Sequence, residues 1–175
     1  MKRDEGQDRT EVLDPLTVVR SDHGCFGCGD ANPIGLHLHF TRTTAGVVAQ
    51  FTPEIVHQGF DGIVHGGIIS TVLDEAMAWA TAAAGLWTVT GEIQIRFRQP
   101  LRVGAETRVE AQVTDTRRRL VKTAAELLLL ADNSVVASAT ATFVRVAAET
   151  ETAWRARYLT QSSQTGDLGT PTDVN

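Results

Sequence analysis

The chain has 175 residues, enough for one domain with a substantial core and short for two. Its formal net charge of −5 argues against general nucleic-acid binding, which depends on a basic excess. No apolar run approaches the ~20 residues of a membrane span, the N-terminus MKRDEGQDRT lacks the apolar core of a signal peptide, and two cysteines do not make a disulfide framework. A cytoplasmic protein with neither a membrane nor a nucleic-acid partner is expected.

Residues 1–22 are polar and acidic and should form a flexible surface segment. The stretch CFGCGDANPIGLHLHF, Cys25 to Phe40, carries Gly, Asn, Asp and Pro, so it reads as a loop running into a strand over roughly Leu36–Thr43. Gly46–Phe51 gives a second strand, closed by Pro53. Glu54–Val64 has no clear period and holds Gly59 and Gly62, which predicts a loop feeding a helix.

That helix, HGGIISTVLDEAMAWA from His65 to Ala80, places Ile68, Ile69, Val72, Leu73, Ala76, Met77 and Ala80 on one face. At about 100° per residue the face is roughly 180° wide, broader than a surface helix needs, which predicts burial over much of its girth. Asp74 falls nearly opposite the middle of the stripe, beside Ser70 and Thr81, and Glu75 lies at its edge near Trp79. Gly85 supplies a C-terminal stop.

Thr88–Gln99 alternates, with Ile93, Ile95 and Phe97 on one face and Glu92, Gln94, Arg96 and Arg98 on the other. Thr107–Thr116, Leu120–Ala131 and Val135–Val146 are further strands, joined by short turns at Arg117–Arg119 and Asp132–Ser134. From Ala147 the chain turns polar, with a short helix expected over Glu149–Tyr158 and disorder from Thr160 to Asn175. The folded domain is therefore 23–147, followed by a polar tail, 148–175. The class is α+β, with about six antiparallel strands curled around one long helix. One helix cannot cover both faces and the edges of such a sheet, so a dimer with a continuous sheet, or a dimer of dimers, is the economical arrangement.

The segment from Cys25 to Val146 resembles the hotdog-fold acyl-CoA thioesterases of the phenylacetate-pathway and thioesterase-superfamily-member-4 type. The resemblance rests on IVHGG followed by a helical aspartate nine residues after the histidine, on RFRQP at Arg96–Pro100, and on CFGCG…NPIGL. It implies hydrolysis of acyl-CoA thioesters between two subunits, with no cofactor beyond the CoA of the substrate. It also implies roles: Asp74 as general base or nucleophile, the Gly66 N–H as the donor that polarises the carbonyl, His65 as the motif histidine, and Thr90 as a hydroxyl that positions water. Some relatives carry an Asn six positions before the histidine, where this chain has Gly59, leaving Gln58 as the neighbouring amide.

Thioester hydrolysis needs a positioned water, a proton acceptor and donors aimed at the developing oxyanion. The start of the helix at Gly66 and Gly67 offers free N–H groups and close approach. Asp74 lies eight residues beyond Gly66, ~12 Å along the helix, so the two reach one carbonyl only if they come from different subunits. Glu75 is either a second carboxylate of the site or a partner for an arginine. Arg96, Arg98, Arg118 and Lys122 suit the phosphates of CoA, and Leu73, Met77 and Trp79 suit the acyl chain. Cys25-x-x-Cys28 with His23, His37 and His39 offers two thiolates toward zinc, but no convincing second pair of ligands, and no metal is expected. A hydratase using His57 and Glu75, and a non-catalytic acyl-CoA-binding module, are the alternative readings.

Overall fold

The computed structural model describes residues 19–159. In chain order the strands are β1 (Thr41–Arg42), β2 (Val47–Phe51), β3 (Gln58–Phe60) and β4 (Ile63–Val64), then helix α1 (Gly66–Ala83), β5 (Thr88–Phe97), β6 (Thr107–Arg117), β7 (Leu120–Leu129), β8 (Val135–Arg145) and helix α2 (Ala148–Tyr158). Six strands form one antiparallel sheet in the order β1-β2-β6-β7-β8-β5, and β3 and β4 make a separate two-stranded ribbon. The α+β class and the sheet around one long helix are as the sequence predicts.

Alternation along the strands explains why α1 sits where it does. Val109, Val121, Leu127, Val136 and Phe143 all point to one face of the sheet, and α1 lays Val72, Leu73, Ala76 and Met77 on them with none of these side chains exposed. The opposite sheet face carries Glu110, Gln112, Glu126 and Thr140 and is open to solvent. The helix starts on His65, whose Nδ1 accepts the Gly67 N–H at 2.9 Å, and stops before Gly85, which takes a φ of 75°. The Arg42 guanidinium donates to the Ala83 carbonyl at that end, tying β1 to the helix.

Several boundaries differ from the sequence reading. The strand expected over Leu36–Thr43 shrinks to Thr41–Arg42, because His37 adopts a φ of 49° and its ring bonds the Gly29 carbonyl at 3.1 Å. The stretch expected to be a loop, Glu54–Val64, contains a one-turn helix, Ile55–His57, and the β3–β4 ribbon. The strand expected to reach Ala131 ends at Leu129. Helix α2 is set against the domain: Trp154 and Tyr158 flank Trp87, and Val19 bridges Leu159. The expected disorder of Thr160–Asn175, and the first 18 residues of the flexible segment, lie outside the described residues. Among the described residues no helix is long and apolar enough to cross a membrane.

Leu73→Ala is expected to leave the fold intact but to lower unfolding free energy by about 2–5 kcal/mol, read by urea denaturation with an unchanged slope.

Candidate active site

Asp74 is half-buried on the flank of α1 that faces β5, where the Thr90 hydroxyl donates to its Oδ1 at 2.8 Å. Burial pushes its carboxyl above the ordinary aspartate range, and the Thr90 bond pulls the other way. One carboxylate oxygen is thus oriented by β5. Glu75, the next residue, is turned about 100° around the helix and points to the other flank. Its Oε1 accepts the Trp79 indole N–H at 3.1 Å, and the Cys25 thiol lies 3.8 and 3.7 Å from its two oxygens. Burial raises the Glu75 pKa to about 7, against the bond from Cys28, which lowers it. Cys25 is brought down to about 5, chiefly by the Cys28 thiol bonded to it, and Cys28 is raised by that same bond and by burial.

At the start of α1 the glycines have different reasons. A Cβ on Gly59 would press the His65 Cα and Cδ2 at 3.1 Å, and one on Gly67 would meet the His65 Nδ1 at 2.9 Å, so both glycines serve the packing of His65. A Cβ on Gly66 would touch only the Phe97 ring, at 3.6 Å, an ordinary contact. Among the described residues the Gly66 N–H donates to no partner. Nothing among the described residues requires Gly66 to lack a side chain.

The sheet places these two features at opposite ends of one edge. Among the described residues β5 pairs only with β8, so its other side is unpaired over ten residues. Its beginning holds Thr90 on Asp74, and its end holds Phe97 beside Gly66. One chain therefore does not bring Gly66 and Asp74 together, as their separation along the helix predicts.

The remaining sequence-predicted residues are dispersed. Gln58 engages its Oε1 with the Gly62 N–H at 3.2 Å, in the ribbon beside His65. Met77 and Leu73 are wholly buried in the core, while Trp79 stacks on Phe40 and lines a cavity of about 650 Å³ with Cys25, Cys28 and Glu75. Arg96 and Arg98 lie on the sheet face away from α1, in a cavity of about 1000 Å³, and so are not on the same face as Asp74. Lys122 is exposed on β7 and Arg118 sits in the β6–β7 turn with a φ of 54°. His57 caps its own helical turn, its Nδ1 accepting the Glu54 N–H at 2.9 Å, and is not brought to Glu75. His37 and His39 are not brought to the cysteines either: His39 faces Asp30 at 3.7 Å. What the sequence reading missed is that Glu75 completes a cluster with Cys25 and Cys28.

Comparison with known proteins now bears on this geometry. The family model described as the thioesterase superfamily matches residues 61–135, the stretch holding the ribbon's turn, α1 and β5–β7. The match takes in 75 of the 175 residues, and it is a likeness of that stretch to the superfamily. Solved structures share its hotdog fold. A thioesterase superfamily protein is 23% identical with a TM-score of 0.65, over 69% of this chain and 60% of that one. A point variant of the phenylacetic acid degradation protein PaaI from Thermus thermophilus is 25% identical with a TM-score of 0.58, over 63% of this chain and 95% of that one. The smu.793 protein from Streptococcus mutans, solved bound to acetyl-CoA, is 18% identical with a TM-score of 0.58, over 62% of this chain and 88% of that one. The matched part of this chain thus spans 60% of the length of the first of these. No curated protein matches the sequence.

If Gly66 answers to something outside its own chain, Gly66→Ala should not lower the thermal midpoint. Gly59→Ala, which must push the His65 backbone, should cost about 1 kcal/mol or more. A scan in which the two variants melt alike would refute the distinction.

Proposed function

We propose that this protein is a thioesterase that hydrolyses acyl-CoA thioesters at a site shared by two copies of the chain. In each site, Gly66 of one copy meets Asp74 of the other. The observation that carries the reading is the run of β5 along α1. Asp74 is held at one end of a ten-residue edge that no described residue pairs, and Gly66 stands at the other. Antiparallel pairing of this edge with a second copy, about a two-fold axis near Ile93 and Gln94, sets the Phe97 end of one strand beside the Thr90 end of the other. It also covers an edge that would otherwise offer ten residues of open backbone groups. The acyl-CoA class is supported by the thioesterase superfamily match over residues 61–135 and by the acetyl-CoA in the similarly folded Streptococcus mutans protein.

The chemistry follows from the two ends. The Gly66 N–H, at a helix N-terminus with its partial positive charge, donates to the thioester carbonyl oxygen. A water held by the free oxygen of Asp74 attacks the carbonyl carbon, and Asp74 takes the water's proton. The Thr90 hydroxyl keeps the other oxygen engaged, so the carboxylate is aimed before the substrate arrives. The tetrahedral intermediate expels the CoA thiolate, which recovers the proton from Asp74, leaving the free acid. Partial burial of Asp74 favours this use, since a desolvated carboxylate is a stronger base than an exposed one.

Asp74→Asn should fold normally and lose at least ~100-fold in kcat against a panel of short, long and aryl acyl-CoA substrates, the effect of removing a general base. Turnover within a few-fold of the parent would remove Asp74 from the mechanism. Binding of acyl-CoA by the parent chain without turnover would identify a binding module instead. The shared site has its own test. Gly66→Pro, which removes the N–H at the first helical position, and Asp74→Asn chains, each inactive alone, should recover roughly a quarter of parental activity when unfolded together and refolded, because each mixed dimer contains one intact site. Mixed dimers that form without activity would place both groups in one chain's site.

A further inference from the structure

We infer that Cys25, Cys28 and Glu75 form a binding site for one thiophilic divalent cation of the zinc type, on the flank of α1 away from Asp74. The donor atoms of these three residues all lie within 4.8 Å of one another. The Cys25 Sγ stands 3.8 and 3.7 Å from the two oxygens of Glu75. Two ligands of a tetrahedral zinc ion, with bonds of 2.0–2.3 Å, sit about 3.5–3.8 Å apart, so the protein already holds thiol and carboxylate at the ligand-to-ligand spacing.

The cluster is built, because its two halves come from segments about fifty residues apart and are fitted to each other. The CFGCG turn closes directly over the Glu75 side chain. A Cβ on Gly27, between the two cysteines, would come within 2.5 Å of the Glu75 Cδ and Oε2. A Cβ on Gly29 would strike the His23 carbonyl oxygen at 2.0 Å. The turn carries glycine at the two places where a side chain would press on the Glu75 carboxylate or on the His23 and Cys25 backbone. Outer groups aim the donors as they do around metal ligands: the Trp79 indole donates to Glu75, and the Cys25 N–H donates to the His23 Nδ1 at 3.3 Å.

Charge and space support the same assignment. A buried thiol is packed with a half-buried thiol and a half-buried carboxylate, and no Lys or Arg is among the groups that act on Glu75. A divalent ion accepts two thiolates and one carboxylate, releasing the thiol protons to solvent. Soft sulfur donors select zinc-like ions over magnesium or calcium. Three protein ligands leave a fourth position, and beside the cluster lies the cavity of about 650 Å³, walled by Trp79, Trp87 and Tyr158. A water or a small ligand donor fits that position. The assignment is independent of the hydrolysis reading, since Asp74 and Gly66 take no part in it.

The test uses the full chain, reduced, stripped with a chelator and titrated with Co²⁺, then with Zn²⁺. The expected result is one Co²⁺ per chain with thiolate-to-cobalt charge-transfer absorption in the near ultraviolet, abolished as one Zn²⁺ displaces it. Glu75→Gln should keep both thiolates on the ion but weaken Co²⁺ binding at least ~10-fold. Gly27→Ala, which retains every ligand but displaces Glu75, should weaken it likewise. Cys28→Ser should remove most of the absorption. The parent spectrum decides even if a variant misfolds. A reduced parent chain with two titratable thiols and no charge-transfer band overturns the site. So does a band whose Co²⁺ affinity is indifferent to Glu75→Gln, or a chain whose cysteines remain a disulfide that excludes the metal.

Discussion

The seating of α1 on the sheet governs everything else in this protein. Val72, Leu73, Ala76 and Met77 leave no surface to solvent, and the strands beneath answer with Val109, Val121, Val136 and Phe143. A helix pinned on that line has only its flanks left for polar chemistry. Two consecutive carboxylates, about 100° apart, are therefore delivered to opposite sides. Asp74 goes to β5 and Glu75 to the cysteine turn. Neither could be moved without rotating the apolar stripe off the sheet.

The same seating explains how the two carboxylates differ. Both are raised by burial, but Asp74 is only half covered and shares its charge with one hydroxyl. Glu75 is surrounded by two thiols and an indole and is lifted to about 7. One is a partly exposed carboxylate aimed by a single hydroxyl at the rim of the fold. The other is a donor enclosed with other donors, for which a cation is the natural complement.

The open edge of β5 is the second consequence. The helix and β5 run side by side, so features eight residues apart on α1 mark the two ends of the same strand. A site that needs both must be assembled by symmetry, and the absence of a clash at Gly66 within its own chain is consistent with an external occupant there. The outer sheet face, with Arg96 and Arg98 above the cavity of about 1000 Å³, faces away from both flanks, which separates those arginines from the Asp74 side.

Local pattern in the sequence determined the α+β class, the long buried helix with its glycine stop, the four long strands and the presence of carboxylates on α1. Each depends on periodicity or turn chemistry between near neighbours, and that information is one-dimensional. HGG and the aspartate nine residues after the histidine were legible for the same reason. Tertiary structure alone decided what the spacing could not express. It brought Glu75 to a cysteine turn fifty residues away, sent His37 into a left-handed turn instead of a strand, and engaged Gln58 within its ribbon. It buried Met77 in the core and put Arg96 behind the sheet. These outcomes follow from which face each element turns to its neighbours, and that is set when the whole sheet closes on the helix, not by any stretch of chain alone.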